Sequence, residues 1–407
     1  MKFIYNISVH LYYCAVWIAS FFNKKANLWI AGRKNIFDVL GSSIGKEDTI
    51  YWFHCASLGE FEQGRPLIEK YKVLSTKYKV LLTFFSPSGY EVRKNYTGAD
   101  YVFYLPLDTP ENAKRFMEIA RPKAAFFIKY EFWYNYLGEL KKQNIPTYLV
   151  SGIFRREQIF FQWYGTWFRD QLRSFTHFFL QNENSKKLIE SIGYKNSTIS
   201  GDTRFDRVWS VSEKSNPIPL VEKFKTGKHL LVAGSTWNED EKLIGNWQLA
   251  IGNFKLIVAP HEVNERHIQD LIGLFSNKNI IRYSKAEEKT ISDFDVLVID
   301  NIGMLSSLYK YADIAYIGGG FGKGIHNILE AAVFGCPVVF GPNFEKFEEA
   351  KDLVELKGAF VINSTGELEQ LICKIFNHHR KSESGLVCKN YVSSKRGATE
   401  KIMNTVK

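Results

Sequence analysis

The stretch FHCASLGEFEQGRPLIE, residues 53–69, joins a strand-like apolar run, a turn of small residues and a helix-like run. Such a strand–turn–helix unit is typical of a parallel sheet, and its turn presents polar side chains at the carboxyl end of the strand. Glu60 directly follows Gly59 in this turn, so we predict either an acid that caps the helix or a reagent in a reaction. His54 lies in the middle of the strand and is interpreted as a core histidine.

Strand-like runs alternate with helical patterns along the rest of the chain, in two series. The first series predicts strands at residues 49–57, 79–86, 100–106, 123–131, 146–152 and 176–182. The second predicts strands at residues 229–236, 254–261, 279–284, 295–300, 313–320 and 336–342. Apolar strands separated by helices indicate parallel sheets covered on both faces. We therefore predict an α/β protein with two doubly wound, Rossmann-like domains that face a cleft.

Length, charge and cysteine usage narrow the class of protein. A chain of 407 residues favours two domains. The formal net charge of +10 favours an anionic partner, such as a phosphorylated substrate or an acidic membrane. No basic recognition helix, zinc-ligand spacing or RNA-binding aromatic signature is present, so we predict no nucleic acid partner. The five cysteines are scattered and form no C-x-x-C motif, which favours reduced thiols in the cytosol.

The N-terminal segment FIYNISVHLYYCAVWIASFF, residues 3–22, is mostly apolar and has no formally charged side chain. Its length could just span a bilayer, although three polar residues within it weaken that interpretation. No small-residue cleavage site follows, so we predict an uncleaved anchor rather than a signal peptide. The alternative is a buried or interfacial amphipathic helix. Both place the protein at the inner face of a membrane, with the basic flank at Lys24 and Lys25 on the cytoplasmic side.

The densest signal in the second series is YIGGGFGKGIHNILEAAVFGCPVVFGP, residues 316–342. A strand runs into a cluster of glycines, and a helix is predicted to open near His326 and Asn327. Glycines let a backbone approach a ligand closely, and a helix N-terminus attracts phosphate. We therefore predict a phosphate-binding loop rather than a merely tight turn, although this is neither a Walker A loop nor a clean G-x-G-x-x-G motif. Glu330 is a candidate to bind a ribose diol, or else a solvated helix residue.

Two further strand ends of the second series carry polar residues. AGSTWNEDE, residues 233–241, places Ser235 and Thr236 before an acidic turn, where helix capping is the alternative role. APHEVNERH, residues 259–267, brings Arg266 after a strand, and a guanidinium suits a phosphate. The spacing is not H-E-x-x-H, so a zinc protease is not predicted.

In the first series, Glu60 is the leading candidate for a general base that takes a proton from a hydroxyl group. The adjoining helix N-terminus favours its charged form, which keeps it ionised but weakens it as a base. Glu131, in KYEFWYN, follows another strand and is predicted either to orient an acceptor or only to pair with Lys129. Arg155 and Arg156 also follow a strand, and they are candidates for an acceptor-phosphate site or simply solvated residues.

Together these elements resemble those of the Kdo transferases, bacterial inner-membrane enzymes that move 3-deoxy-D-manno-octulosonic acid (Kdo) from CMP-Kdo onto lipid A precursors. The segments that carry the resemblance are HCASLGEFEQGRPLI, LLTFFSPSG, YLPLD, KYEFWYN, AGSTWNEDE, APHEVNER and GGGFGKGIHNILEAAVFGCPVVFGP. They follow the family's order and spacing over nearly the whole chain. The S-x-G-E element and the glycine-rich element that ends in H-N-x-L-E are the most specific.

The resemblance implies a GT-B fold, with the acceptor in the first domain, the CMP-sugar in the second, and no required metal or cofactor. It implies that Glu60 is the general base and that Glu131 is a second functional acid near the acceptor. The other expected acceptor contacts are Lys129, Arg155, Arg156 and Arg65. The expected nucleotide contacts are Ser235, Thr236, His261, Arg266, Gly318, Gly319, Gly320, Gly324, His326, Asn327 and Glu330.

The implied reaction is an inverting, metal-independent transfer of Kdo to a lipid A precursor (lipid IVA) in lipopolysaccharide biosynthesis. The expected location is the cytoplasmic face of a Gram-negative inner membrane, where anionic lipids are a further partner and the N-terminal helix is the anchor. The expected boundaries are an anchor at 1–25, an acceptor domain at 26–208, a linker at 209–228, a CMP-sugar domain at 229–380, and a basic C-terminal tail or helix at 381–407.

The chain departs from many relatives of this family at three positions. It lacks an arginine near Pro260–His261 and at Ser88, and it has Arg204 where another relative has lysine. Phosphate contacts are therefore expected to be distributed differently. Two alternatives stay open. One is a GT-B transferase that uses a UDP- or ADP-sugar on another lipid, which nucleotide competition would distinguish. The other is a non-catalytic module that binds nucleotide or lipid, in which loss of Glu60 would change nothing.

Overall fold

The computed structural model describes residues 1–74, 77–247, 253–275, 277–377 and 380–406. The chain divides into two compact units. Unit 1 comprises Met1–Arg207 and Arg396–Lys407, and unit 2 comprises Val208–Lys395. Each unit contains a seven-stranded sheet whose paired strands are all parallel in the described residues. The two parallel α/β domains predicted from the sequence are therefore confirmed.

Unit 1 is built around strands β1 to β7 and helices α1 to α9. The strands are β1 (Thr49–Cys55), β2 (Tyr78–Phe84), β3 (Tyr101–Tyr104), β4 (Pro122–Ile128), β5 (Thr147–Gly152), β6 (His177–Leu180) and β7 (Ser197–Ile199). The helices are α1 (Lys2–Ala19), α2 (Lys24–Ala31), α3 (Ile36–Ser43), α4 (Leu58–Leu74), α5 (Pro87–Arg93), α6 (Pro110–Ala120), α7 (Tyr134–Lys142), α8 (Thr166–Leu172) and α9 (Glu183–Ser191).

The sheet of unit 1 has the strand order β3-β2-β1-β4-β5-β6-β7. Neighbouring residues of β1 point to opposite faces, and Trp52 and Phe53 are both fully buried in different core clusters. The sheet is thus covered on both sides, as its continuous apolar strands predict. The chain leaves β1 for β2 on one side and returns to β4 on the other. This reversal creates a topological switch point, where open α/β sheets bind ligands beyond the strand ends.

Unit 2 repeats this architecture with strands β8 to β14. The strands are β8 (His229–Thr236), β9 (Phe254–Pro260), β10 (Ile280–Arg282), β11 (Val296–Val298), β12 (Ile314–Ile317), β13 (Val338–Phe340) and β14 (Ala359–Val361). The helices are α10 (Thr203–Glu213), α11 (Pro219–Lys225), α12 (Asn238–Gly245), α13 (Glu265–Gly273), α14 (Leu305–Leu308), α15 (Leu329–Ala332), α16 (Glu348–Glu355), α17 (Thr365–Asn377) and α18 (Arg380–Ser394), of which α10 begins in unit 1. The strand order is β10-β11-β9-β8-β12-β13-β14, so the switch point lies between β8 and β12.

The segment predicted as a linker contains a helix, and the segment predicted as a basic tail or helix is helical over most of its length. Within residues 209–228, α11 begins with Pro219, because a proline in the first helical turn loses no hydrogen bond. The C-terminal segment ends in α19 (Ala398–Thr405), which belongs to unit 1. Asp206 accepts hydrogen bonds of 2.7 Å from the backbone N–H groups of Gly397 and Thr399, which caps this helix. Lys407 lies outside the described residues.

The N-terminal helix α1 packs one face on unit 1 and exposes the other. Val9 is buried, whereas the residues of the opposite side, which we call the apolar face of α1, are exposed. This face consists of Phe3, Ile4, Ile7, Leu11 and Ile18. Among the described helices, none combines the length and the apolarity that crossing a bilayer requires. The membrane anchor predicted over residues 3–22 is thus not confirmed.

A buried carboxylate joins α1 to the body of unit 1. The Tyr5 hydroxyl donates a hydrogen bond to Oδ2 of Asp108 at 2.6 Å. The backbone N–H groups of Asn135 and Tyr136, at the start of α7, donate to the same carboxylate at 3.2 and 3.1 Å. Burial raises the pKa of Asp108 from 3.8 to about 6, although these donors and the nearby His54 act to lower it. The charged form is therefore costly at neutral pH.

This buried acid predicts an unusual pH dependence of stability. The pKa of Asp108 is higher in the folded state than in the unfolded state. Protonation of Asp108 therefore adds to the free energy of unfolding below about pH 4, and this contribution is lost as the pH rises from about 4 to about 6. At 1.36 kcal/mol for each pKa unit, the loss is on the order of 3 kcal/mol. The side chain of Asp108→Asn stays neutral. We therefore expect the free energy of unfolding of this variant, relative to that of the wild type, to rise by about 3 kcal/mol between about pH 4 and pH 7. Urea unfolding of both proteins at both pH values measures this difference. The control is Asp38→Asn, which changes an exposed acid of the same unit. A difference independent of pH would contradict the expectation.

Candidate active site

The turn after β1 carries Glu60 at the switch point of unit 1. Since α4 begins at Leu58, Ser57 is in the N-cap position and Glu60 is the third residue of the helix. The Ser57 N–H donates to Oε2 of Glu60 at 3.0 Å, and the Ser57 hydroxyl donates to the same oxygen. This is half of a capping box. The capping role considered for Glu60 is therefore present, and these contacts use one of its two carboxylate oxygens.

Glu131 follows β4, the other strand at this switch point. The indole N–H of Trp133 donates to Oε2 of Glu131 at 2.6 Å and approaches Nε2 of His54 at 3.0 Å. Oε2 of Glu131 is 3.4 Å from the same imidazole nitrogen. His54 is fully buried, as expected of a core histidine, and its Nδ1 is 2.9 Å from the Thr83 hydroxyl. The contacts of Glu131 described here are thus to Trp133, which lies beside it in the KYEFWYN segment, and to His54, which the sequence analysis did not connect with it.

Two of the predicted acceptor-binding cations gather around Tyr130. The Lys129 ammonium lies 5.0 Å from the centre of the Tyr130 ring, and the Arg155 guanidinium lies 5.9 Å from it. Lys129 has a φ of 71°, a left-handed conformation that is strained for a side chain of this size. Backbone strain of this kind clusters at functional sites. Arg156 is exposed in the loop after β5.

Arg65 has a different environment from these cations. It lies on α4, where its Nε donates to Oε1 of Glu69 at 2.7 Å. Its guanidinium also stacks against the rings of Phe61 and Tyr96 at 5.9 and 5.5 Å. A paired and stacked guanidinium stabilises the helix surface. The described contacts do not join Arg65 to the Tyr130 cluster.

The glycine loop follows β12 at the switch point of unit 2. A Cβ atom on Gly318 would lie 2.2 Å from the carbonyl oxygen of Ser235, so only glycine fits beside the end of β8. Ser235 has a φ of 53°, again a left-handed backbone at a strand end. The predicted residues Ser235, Gly318, Gly319 and Gly320 are thereby brought to one edge of the sheet.

The loop uses many of its own N–H groups. The amides that donate hydrogen bonds within unit 2 are those of Gly318, Gly319, Gly322, Gly324 and His326. The helix predicted to open near His326 instead begins at Leu329 and is only four residues long. Just before this helix, the Asn327 side chain accepts from the Leu329 N–H at 3.2 Å, as in an Asx turn. These five amides are therefore engaged within unit 2, and the phosphate-binding role of the loop stays a prediction.

Asp240, which the sequence analysis did not single out, holds this loop in place. Its Oδ2 accepts from the N–H groups of Gly319 at 2.8 Å and Trp237 at 2.9 Å. Its Oδ1 accepts from the Tyr316 hydroxyl at 2.7 Å. Burial raises the pKa of Asp240, although these hydrogen bonds act to lower it. One carboxylate thus joins α12, β12 and the glycine loop.

Three aromatic rings stack beside the glycine loop. The ring of His261 lies 4.5 Å from that of Trp237 and 4.5 Å from that of His326, measured between centroids. The Trp237 indole donates to Nε2 of His326 at 3.0 Å. Because an indole N–H only donates, this nitrogen accepts, and the proton of His326 is on Nδ1. Burial, with the neighbouring His261, lowers the pKa of His326 to about 4, so this residue is neutral at pH 7.

Of the other residues predicted to contact the nucleotide, Glu330 and Thr236 make hydrogen bonds within unit 2, and Arg266 has no described contact with the glycine loop. Oε2 of Glu330 accepts from the Ser306 hydroxyl at 2.6 Å, and Oε1 accepts from the Asn327 side chain at 3.1 Å. The hydroxyl of Thr236, which is fully buried, donates to Oε1 of Glu241 at 2.9 Å. Arg266 is exposed in the first turn of α13, and the described contacts do not join it to the loop. No cluster of three or more potential metal ligands occurs in the described part of the chain.

Comparison with known proteins places this architecture in a class. Over 88% of this chain and 99% of the other, the fold is similar to UDP-GlcNAc 2-epimerase from Neisseria meningitidis, with a TM-score of 0.61 and 15% identity. At that identity the likeness concerns the fold alone. Two parallel α/β domains of this kind, with polar residues at the switch point of each sheet, define the GT-B class.

Sequence comparisons point to one family. Residues 33–207 match the family described as 3-deoxy-D-manno-octulosonic-acid transferase (kdotransferase). The chain is 29% identical to the 3-deoxy-D-manno-octulosonic acid transferase of Aquifex aeolicus, over 78% of this chain and 83% of that protein. It is 27% identical to a bifunctional glycosyltransferase/methyltransferase of Fusobacterium nucleatum, over 83% of this chain but 54% of that longer protein. In sequence, the chain is thus similar to the Kdo transferase family of glycosyltransferases, through residues 33–207 and through curated relatives that match most of its length.

Proposed function

We propose that the protein transfers Kdo from CMP-Kdo to a hydroxyl group of a lipid A precursor, with inversion at the anomeric carbon. The observation that carries this proposal is the pair of acids at the switch point of unit 1, Glu60 after β1 and Glu131 after β4. They occur in the part of the chain that matches the Kdo transferase family. The similarity to this family supports a Kdo transferase, and the acids support the chemistry of an activated hydroxyl.

In the proposed reaction, Glu60 takes the proton of the acceptor hydroxyl as the oxygen attacks the anomeric carbon of Kdo. The bond from that carbon to the phosphate oxygen breaks, and CMP leaves with the electron pair. Lys129 and Arg155 bind an anionic group of the acceptor near Tyr130. Backbone N–H groups of the glycine loop and basic side chains stabilise the charge of the CMP phosphate, to which His326 adds none because it is neutral.

We further propose that the protein works at the cytoplasmic face of the inner membrane, where its lipid acceptor lies. The apolar face of α1 gives an extended apolar surface on unit 1, with Phe3 76% exposed. Lys24 and Lys25 follow this helix and are exposed. An apolar helix face with a basic flank favours a position in the interface of an anionic bilayer.

Mass spectrometry of the acceptor tests the activity. A tetra-acylated, bis-phosphorylated lipid A precursor is incubated with the full-length protein and freshly generated CMP-Kdo, in the presence of EDTA. The expected result is a mass increase by whole Kdo residues, and their number gives the number of additions. An unchanged acceptor with CMP still bound would overturn the proposed donor and acceptor pair in favour of another nucleotide-sugar or lipid. Activity only after a divalent metal is restored would overturn metal independence.

A further inference from the structure

The loop between β5 and α8 displays two aromatic rings to solvent. We call Gln162, Trp163, Tyr164 and Gly165 the aromatic turn. Trp163 is 88% exposed and Tyr164 is 56% exposed, and their rings meet edge to face at 5.4 Å. A single exposed apolar residue is ordinary, but two adjacent large aromatic rings that face water indicate a surface with a partner.

The aromatic turn is held rigidly in this shape. The carbonyl of Gln162 accepts hydrogen bonds from the Gly165 N–H at 2.9 Å and from the Arg169 guanidinium at 3.0 Å. A Cβ atom on Gly165 would lie 1.8 Å from the carbonyl oxygen of Ile159, so the tight turn requires glycine. Just before the turn, Phe160 is buried against the ring of Phe132 at 4.8 Å. The two rings are therefore presented by a fixed scaffold rather than by a loose loop.

The helix that follows the aromatic turn contacts α1 through an aromatic cluster. Trp167, the second residue of α8, stacks on Tyr134 at 4.7 Å and contacts Tyr5 of α1 at 6.0 Å. Phe3 and Ile4, two residues of the apolar face, lie next to Tyr5 in the chain. The turn and the N-terminal end of α1 thus border the same aromatic cluster of unit 1.

Basic residues flank the aromatic turn along the chain. Arg155 and Arg156 precede it and Arg173 follows it, all three exposed. Glu157 and Asp170 also lie in this stretch, and Asp170 pairs with Arg173 at 3.3 Å. Trp and Tyr rings next to arginines are typical of segments that lie in the headgroup region of a membrane, where the rings bury in the interface and the cations meet anionic lipids. A protein partner or a second copy of this chain would need a complementary acidic and apolar surface, whereas an anionic bilayer supplies both properties at once.

We propose that the aromatic turn is a second membrane-contact site, which inserts Trp163 and Tyr164 into the headgroup region of an anionic bilayer beside the apolar face of α1. A single helix on the membrane surface would leave unit 1 free to rotate about the helix axis. Contact through both α1 and the aromatic turn fixes the orientation of unit 1. The inference shares the lipid surface with the proposed function, but its test needs neither donor nor acceptor, so the two can fail separately.

A fluorescent label at the turn tests the insertion. In the full-length protein, Cys14 and Cys373, the exposed cysteines, are replaced by serine, and Trp163→Cys carries an environment-sensitive dye. Vesicles of phosphatidylcholine and phosphatidylglycerol are expected to shift its emission to the blue and expose it to lipid-borne quenchers. A dye at Val73→Cys, 85% exposed on α4, is the matched control and is expected to stay unchanged. An unshifted Trp163 dye on vesicle-bound protein, or a shift that grows with protein concentration without vesicles, would overturn the inference.

A double variant measures how much the turn contributes. Trp163→Ser with Tyr164→Ser removes exposed rings only, so the fold is expected to be retained. Vesicle affinity is expected to fall at least about tenfold, because most of the apolar area of two rings is no longer buried. Transfer to a detergent-dispersed acceptor is expected to be unchanged. Vesicle affinity equal to that of the wild type would contradict a second contact site.

Discussion

Replacing Glu60 by glutamine is expected to lower the rate of Kdo transfer by about 10³-fold while the affinity for CMP stays within about twofold. A neutral amide cannot accept the proton of the acceptor hydroxyl, so the attacking oxygen stays protonated. Glutamine keeps a side-chain oxygen that can accept the Ser57 N–H bond, so the cap of α4 is retained. Initial rates from the mass-spectrometric assay, together with calorimetric titration of CMP, measure both quantities.

Two control variants separate the capping role of Glu60 from the role as base. Ser57→Ala removes a hydroxyl donor to Glu60 but leaves the carboxylate, and a weakened cap costs about 1 kcal/mol of stability. Glu69→Gln changes another acid of α4 that pairs with Arg65, and a surface pair contributes little. We expect both to keep at least about a tenth of the wild-type rate. If Ser57→Ala were as inactive as Glu60→Gln, capping would be the role of Glu60; more than about one per cent activity in Glu60→Gln would remove it from the base role.

Replacing Gly318 by alanine is expected to disrupt the glycine loop of unit 2, where we propose that CMP binds. The added methyl group would lie 2.2 Å from the Ser235 carbonyl oxygen and 2.6 Å from Cα of Thr236, both backbone atoms that cannot turn away. The end of β12 must then move from β8, and overpacking of this kind costs about 3 kcal/mol. This movement also disturbs the hydrogen bond from the Gly319 N–H to Asp240, and that hydrogen bond orders the loop. We expect CMP affinity to fall by at least about tenfold, because the loop no longer has one fixed shape.

The same loop contains a matched control. A Cβ atom on Gly322 would come no closer than 3.7 Å to another atom, the Gly319 carbonyl oxygen, and its φ is not in the left-handed region. Gly322→Ala is therefore expected to bind CMP within about threefold of the wild type and to unfold at the same urea concentration. Titration of CMP and urea unfolding of both variants make the comparison. Equal behaviour of the two variants would show that close approach at Gly318 does not matter.

The fold could be predicted from the sequence because apolar runs and turns are local signals. The strands from β1 to β6 and from β8 to β13 all coincide with predicted segments, although β2 and β4 each begin one residue before the predicted start. The strands β7 and β14, which are three-residue strands at the edges of their sheets, were missed, although β10, β11 and β13 are equally short and were predicted. The N-terminal helix was recognised, but its exposed and packed sides depend on contacts such as that of Tyr5 with Asp108, 103 positions away.

The candidate site could be predicted only in part. Glu60, Glu131 and the glycine loop follow strands, and strand ends of a parallel sheet gather at one edge, so sequence order was enough to find them. Contacts between distant parts of the chain were not visible, because Trp133 meets His54 across 79 positions and Trp237 meets His326 across 89. The helix at His326 was placed too early for a local reason. The Asn327 side chain accepts a hydrogen bond from the Leu329 N–H, which favours a turn at Asn327, and the helix begins only at Leu329.

The return of α19 to unit 1 bears on how this enzyme can be divided. Ile402 is fully buried in the same core cluster as Phe53 and Phe126, and Asp206 caps the helix that carries it. A fragment that stops at residue 207 would leave an apolar groove on its sheet, whereas the same fragment supplied with a synthetic peptide of residues 396–407 has its complete core. Unit 1 is therefore suited to fragment complementation, in which a peptide of the last twelve residues binds a separate N-terminal fragment and completes its fold.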